Sequence, residues 1–159
     1  MSETGTSIRD TAGRLDDVSK RIIEQLQDDG RSSYAAIARA VGLSEAATRQ
    51  RVQRLIDEGV VQIAAITDPG AIGFHRMALL GVRVEGEAQR VADKLGGLAE
   101  AEYVVICAGQ FDILVELLCV DDDHLLQTVE SVRAVPGVRT AETFVYLKIA
   151  KETYQWGTR

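Results

Sequence analysis

At Gly59 the hydrophobic period of the chain changes, and that change limits what it can fold into. Before this glycine, apolar residues recur three and four positions apart; after it they come in short β-branched runs divided by turn signals. One uniform architecture cannot accommodate both. The first part reads as a small helical domain, and the second as a domain of mixed strands and helices.

Residues 15–29, LDDVSKRIIEQLQDD, place apolar side chains at 15, 18, 22, 23 and 26, the stripe of an amphipathic helix. Asp16 or Asp17 suits its N-cap, and Gly30 its end. Ser33 then precedes YAAIARAV, a short helix burying Ile37 and Val41. Gly42 breaks it, Ser44 stands where an N-cap belongs, and AATRQRVQRLIDE runs as a third helix to Gly59. A short helix, a tight glycine turn and a longer helix form the helix-turn-helix pattern. VVQIAAI (60–66) reads as a wing-like strand, and Thr67-Asp68-Pro69-Gly70 as a turn, with a domain boundary near 62–75.

The second part spells strand 77–86, helix 87–100, strand 103–109, strand 111–120, helix 121–135 and strand 138–151. A β-α-β-β-α-β order describes a ferredoxin-like sheet with two helices on one face. In 111–120, Ile113, Val115 and Leu117 alternate with Leu114 and Leu118, so the strand is apolar on both faces. A sheet with one wet face alternates apolar with polar. A cover for the second face is therefore implied, and closed twofold association makes a second copy the expected one. The fold class is α+β: a winged helix-turn-helix joined to a ferredoxin-like domain. The expected divisions are a disordered lead-in at 1–14, a helix-turn-helix domain at 15–62, and a linker strand and turn at 63–76. A ferredoxin-like domain at 77–151 and a tail at 152–159 complete the chain.

Net charge is −6, but the average conceals an asymmetry. Residues 31–54 carry five arginines and one acid, Glu45, whereas residues from 61 onward carry nine basic and fourteen acidic side chains. Only the first part suits a polyanion. Within the third helix, Val52, Leu55 and Ile56, with Thr48 a turn earlier, form the packed stripe. Glu45, Ala46, Arg49, Gln50 and Gln53 are left outward. Arginine pairs with guanine and glutamine with adenine in the major groove of double-stranded DNA. Arg49, Gln50 and Gln53 are candidates for bases, Arg51 and Arg54 for phosphates or positioning, and Ser33, Ser44 and Thr48 complete the candidate surface. The competing reading is that Arg and Gln merely solvate a good surface helix.

Gly109-Gln110-Phe111-Asp112 is the second candidate site. A hairpin turn there pairs Cys107 near Asp112 and leaves Cys119 too far along the partner strand for a disulfide. Asp112 stands in an otherwise apolar run. Its carboxylate suits an ammonium, and the turn's N–H groups a carboxylate, which are the two ends of a free amino acid. Equally, Asp112 caps the turn or pairs across a dimer. Thr140 and Glu142 are further candidates for the pocket wall; Glu116, on the Asp112 face, suits a dimer ion pair as well. No catalytic group assembles around the two histidines, and no metal-ligand spacing occurs, so neither an enzyme nor a cofactor is expected. No run has the ~20 apolar residues of a membrane span, and the N-terminus lacks a signal-peptide core, so a cytoplasmic protein is expected.

Five ordered stretches carry a resemblance: LDDVSKRIIEQLQDDGR, IARAVGLSEAATRQRVQRLIDEGVV, DPGAIGF, AGQFDILVELL and VRTAETFVYL. From about Leu15 to Tyr154 the chain resembles the Lrp/AsnC family of feast/famine transcription regulators. The tail KETYQWG looks most like actinobacterial members, including regulators of alanine dehydrogenase. The resemblance implies a winged helix-turn-helix joined to a ferredoxin-like domain that dimerises and senses amino acids. It implies assembly from dimers to tetramers, octamers or larger rings, with the effector between dimers. The family's effector loop falls on Gly109, Gln110, Phe111 and Asp112. An effector-independent DNA-compacting protein and an amino-acid-binding metabolic subunit of the same strand order are the alternatives.

Overall fold

A computed structural model describes residues 15–159, which form two compact units, 15–65 with 151–159 and 66–150. The expected lead-in at 1–14 lies outside the described residues.

In the first unit α1 spans Asp17–Asp28, α2 Tyr34–Val41 and α3 Glu45–Asp57. Each start has a side-chain cap that satisfies an otherwise orphaned N–H. Asp16 accepts from Ser19 N, Ser33 from Ala36 N and Ser44 from Ala47 N. Gly42 ends α2 at φ 77°, a left-handed conformation costly for any side chain with a Cβ, and so sets the tight turn into α3. Ile22, Ile23, Ile37, Val41, Val52 and Leu55 close one core among the three helices. The guanidinium of Arg21 caps the end of α2 by donating to the carbonyls of Ala40 and Val41.

The expected wing strand does not form. Residues 60–67 make no ladder, because a strand needs a partner for its backbone groups and none pairs with them among the described residues. Its apolar side chains stay out: Ile63 and Ile66 are exposed. The tail folds with the helices, Gly157 N donating to Gln27 Oε1 and Thr158 Oγ1 to Glu24 Oε1.

The second unit contains β1 (Arg76–Val84), α4 (Ala88–Leu95), β2 (Ala101–Ile106), β3 (Ile113–Cys119), α5 (Asp122–Ala134) and β4 (Val138–Val145). The sheet order is β2-β3-β1-β4, antiparallel throughout, as the β-α-β-β-α-β order requires. Register puts Ala78, Leu80, Val82, Ile113, Val115, Leu117 and Cys119 on the helix-covered face, all fully buried. The opposite face holds Met77, Leu79, Leu114, Glu116, Leu118, Glu142 and Phe144. Neither helix of this unit covers it: Phe144 is 44% exposed, and Leu79, Leu114 and Leu118 are half-buried. The last strand stops at Val145, paired with Ala78 of β1 and six residues short of the expected end, and one further bond runs from Tyr146 N to Met77 O. Both cysteines are free thiols, and Cys107 N donates to the carbonyl of Asp112, as the hairpin reading requires.

Candidate DNA-binding surface and effector loop

The third helix turns one face into the core and the other to solvent. Val52 and Leu55 are buried, while Ala46, Arg49, Gln50, Gln53 and Arg54 line a shallow outward concavity with Asp57. Ser44 and Glu45 are exposed at its N-terminal end, and Ser33 at the start of α2. Thr48 is a correction. It is fully buried in phase with Val52 and Leu55, and its Oγ1 has no hydrogen-bond partner, so it packs the helix and cannot meet a duplex.

The three arginines of α3 differ. Arg51 faces α1, where its Nη1 lies 2.7 Å from Asp16 Oδ2 and 3.2 Å from Ser19 Oγ. It is engaged inside the domain and orients α3 against α1 rather than pointing outward. Arg49 lies over the ring of Tyr34, 4.9 Å from its centroid, and its Nη2 is 3.4 Å from Glu45 Oε1. Arg54 is exposed on the last turn. Gln53 Nε2 donates to Asp57 Oδ1 at 2.8 Å, which holds its amide along the helix axis. Asp16 is the group most perturbed here. Hydrogen bonds from Ser19, and then Arg51, lower its pKa to about 2.

Tyr34 and Asp57 were not legible as parts of this surface. A tyrosine opening a short helix looks like core, and Asp57 like the end of a solvated face; only the crossing of α2 and α3 brings Tyr34 under Arg49.

In the second unit Gly109 and Gln110 form the exposed turn. Gly109 has φ 153°, which favours glycine. Asp112 ties this turn to β1: its N–H donates to Val82 O at 3.0 Å, and its Oδ2 accepts from Val84 N at 2.9 Å. One carboxylate oxygen is thus spent where β1 is irregular between Arg83 and Val84. Phe111 lies on Gly81, where an added Cβ would sit 2.6 Å from the ring, and meets Phe144 edge-on at 6.2 Å between centroids. Arg83 stands 5.9 Å over the same ring. Thr140 and Glu142 are exposed on the uncovered face with Phe144. Glu116 accepts from Tyr146 Oη at 2.8 Å. Gly81 and Arg83 gave no warning in sequence, since their roles depend on cross-strand register.

Among the described residues no group of three or more His, Cys, Asp or Glu is placed to hold a metal ion, and no helix is long and apolar enough to cross a membrane.

A capped helix-turn-helix with an Arg- and Gln-lined outer face, followed in sequence by a four-stranded α+β unit, is the architecture of a DNA-binding transcriptional regulator. Comparison with known proteins agrees. Residues 15–62 match the winged helix-turn-helix DNA-binding family, and residues 74–159 match the C-terminal dimeric alpha+beta barrel domain of AsnC-type regulators. The chain belongs to the Lrp/AsnC family of transcriptional regulators, and it is a regulator rather than an enzyme. The HTH-type transcriptional regulator FL11 of Pyrococcus furiosus is 33% identical over 143 residues, covering 89% of this chain and 95% of that protein. A transcriptional regulator of Neisseria meningitidis, solved as its L-Met complex, superposes with TM-score 0.80 at 25% identity, over 89% of this chain and 95% of that one. The leucine response regulatory protein of Mycobacterium tuberculosis gives TM-score 0.79 at 26% identity, over 87% and 96%.

Proposed function

We propose that the protein is a sequence-specific DNA-binding regulator whose assembly or DNA affinity responds to a free amino acid bound between C-terminal domains. The observation that carries the first half is the outward face of α3. Arg49, Gln50 and Gln53 stand side by side on it, beyond a capped N-terminal turn that faces solvent. In helix-turn-helix proteins the N-terminal part of this helix enters the major groove, where these side chain types read bases. Arg54 and the hydroxyls of Ser33 and Ser44 serve phosphates, and Arg51 serves by positioning the helix.

Residues 15–62 act as the DNA-binding domain, 63–76 as the linker, 77–151 as the effector and assembly domain, and 152–159 as the tail. The uncovered sheet face with Leu79, Leu114, Leu118 and Phe144 supports a homodimer, as does the dimeric domain that matches there. Dimers then build a tetramer or octamer. Two DNA-binding domains per dimer double a modest local charge, which is how an acidic chain holds a polyanion in the cytoplasm. The effector reading draws support from the L-Met complex of the Neisseria relative. It assigns the pocket to Gly109, Gln110 and the free oxygen of Asp112, with Phe111, Thr140 and Glu142 around it.

The test has two parts. Duplexes are selected from a random library with the full chain, and their binding is then measured with each of the twenty amino acids. An effector shifts affinity or assembly by about fivefold or more, a normal allosteric coupling. If no amino acid moves either by more than about twofold, the sensing half fails. The protein is then a DNA-binding protein whose second domain only assembles it.

A further inference from the structure

Tyr34 opens α2, and its place there is fixed twice. Ser33 caps the helix at the preceding position, 3.2 Å from Ala36 N, and the ring is half-buried against the core of Ile22, Ile37 and Val52. The guanidinium of Arg49 lies over this ring at 4.9 Å, from the neighbouring helix. Its side chain is otherwise 64% exposed, with one further contact along its own helix, to Glu45 Oε1 at 3.4 Å.

The geometry of that contact decides what it leaves free. The Arg49 guanidinium carbon is within cation–π reach of the ring, and arginine that stacks on an aromatic ring does so through its own flat face. Arginine's N–H donors lie in the plane, at its edge, and a base is read through that edge as a bidentate fork. Stacking therefore restrains the long side chain without consuming the donors that recognition needs. A salt bridge does the reverse, since it occupies the fork. The Glu45 contact uses Nη2 and is long and exposed, so a duplex can displace it while the stack persists. A ring anchored in a core is a rigid support for a recognition side chain.

We propose that Tyr34 is the positioning residue for Arg49: it holds the guanidinium flat, presents its N–H edge outward, and so sets sequence preference at one base pair without touching it. This rests on the reading of Arg49 as a base-reading residue. It assigns to α2 a share of sequence discrimination that its place behind the recognition helix does not suggest.

The probes are a duplex selected from a random library with the unmodified chain, its single-base-pair variants, and random-sequence duplex. The full chain is compared with Tyr34→Phe, Tyr34→Leu, Arg49→Ala and the Tyr34→Leu/Arg49→Ala double variant. Tyr34→Phe keeps the ring and should discriminate within about twofold of the parent. Tyr34→Leu should lose about fivefold or more in discrimination, at the same base pair that Arg49→Ala affects, with random-duplex binding within about twofold. The double variant should be no worse than Arg49→Ala alone, because the ring then has nothing to position.

Three results would overturn the inference while leaving base reading by Arg49 intact: unchanged discrimination in Tyr34→Leu, additive losses in the double variant, or a Tyr34→Phe as impaired as Tyr34→Leu. Unchanged discrimination in Arg49→Ala would instead remove the base-reading role, and this inference with it. A readout on the unmodified chain guards against a misfolded leucine variant. Ring current from Tyr34 should move the Arg49 δ protons upfield in the NMR spectrum, and random-coil shifts there would show that the stack does not exist in solution.

Discussion

Arg51 Nη1 lies 2.7 Å from Asp16 Oδ2, joining the middle of the recognition helix to the cap of the first helix across 35 residues of sequence. Asp16 thereby does two jobs, since its other oxygen caps α1 by accepting from Ser19 N. The sign of the pH effect follows. Its pKa is held at about 2 in the folded protein, below the ordinary carboxylate range, so the folded state favours the ionised form. The stability this confers is fully present above about pH 4 and is lost as pH falls through about 2. Unfolding followed by a helix signal should show this acid loss in the parent. In Asp16→Asn it should be reduced, because asparagine still caps the helix but does not titrate. An unchanged acid slope in Asp16→Asn would contradict the assignment.

Arg49→Ala and Arg54→Ala should differ in kind. Loss of Arg49 should cost ~1–3 kcal/mol in discrimination at one base pair. Loss of Arg54 should weaken selected and random duplexes alike and reduce the salt slope by about one. Titrations at several salt concentrations separate the two. Equal weakening on both duplexes by Arg49→Ala would remove its base-reading role.

Gly81 is filled from above by the Phe111 ring, which leaves no room for a Cβ. Gly81→Ala should therefore displace Phe111 and destabilise the second unit by ~1–3 kcal/mol, the usual cost of overpacking. Chemical denaturation measures the loss. A variant as stable as the parent would mean the ring has an equally good alternative seat.

Leu118 lies half-buried on the uncovered sheet face opposite Met77. A carboxylate placed there would be buried against an apolar partner, at a cost an association can rarely meet. Leu118→Glu should give a monomer by solution mass measurement and retain its far-ultraviolet circular dichroism. A variant that keeps the parent's mass would place the dimer contact elsewhere.

The elements were largely legible because each carried its own punctuation. Ser33, Ser44 and Gly42 mark the ends of α2 and the start of α3, and hydrophobic period separates α3 from β1. The doubly apolar pattern of 111–120 pointed to the uncovered face. What failed was whatever depends on partners distant in sequence. The run at 60–66 has strand composition but no strand beside it. Thr48 stands in the sequence both in the packed stripe and among the surface candidates, and its burial beside Val52 and Leu55 leaves only the packed role. Asp112 spends one oxygen on Val84 N, a contact set by an irregularity in β1 that no local pattern announces. Tyr34 and Arg49 meet only because two helices cross.

Regulation of particular genes depends on sequence-specific reading of DNA by the outer face of α3. Its most direct test is the affinity of the full chain for a selected duplex and for random-sequence duplex at one fixed physiological salt concentration. A specific regulator should prefer the selected duplex by ~10³-fold or more. A preference below about tenfold would mean that α3 does not read sequence and that the protein binds DNA architecturally.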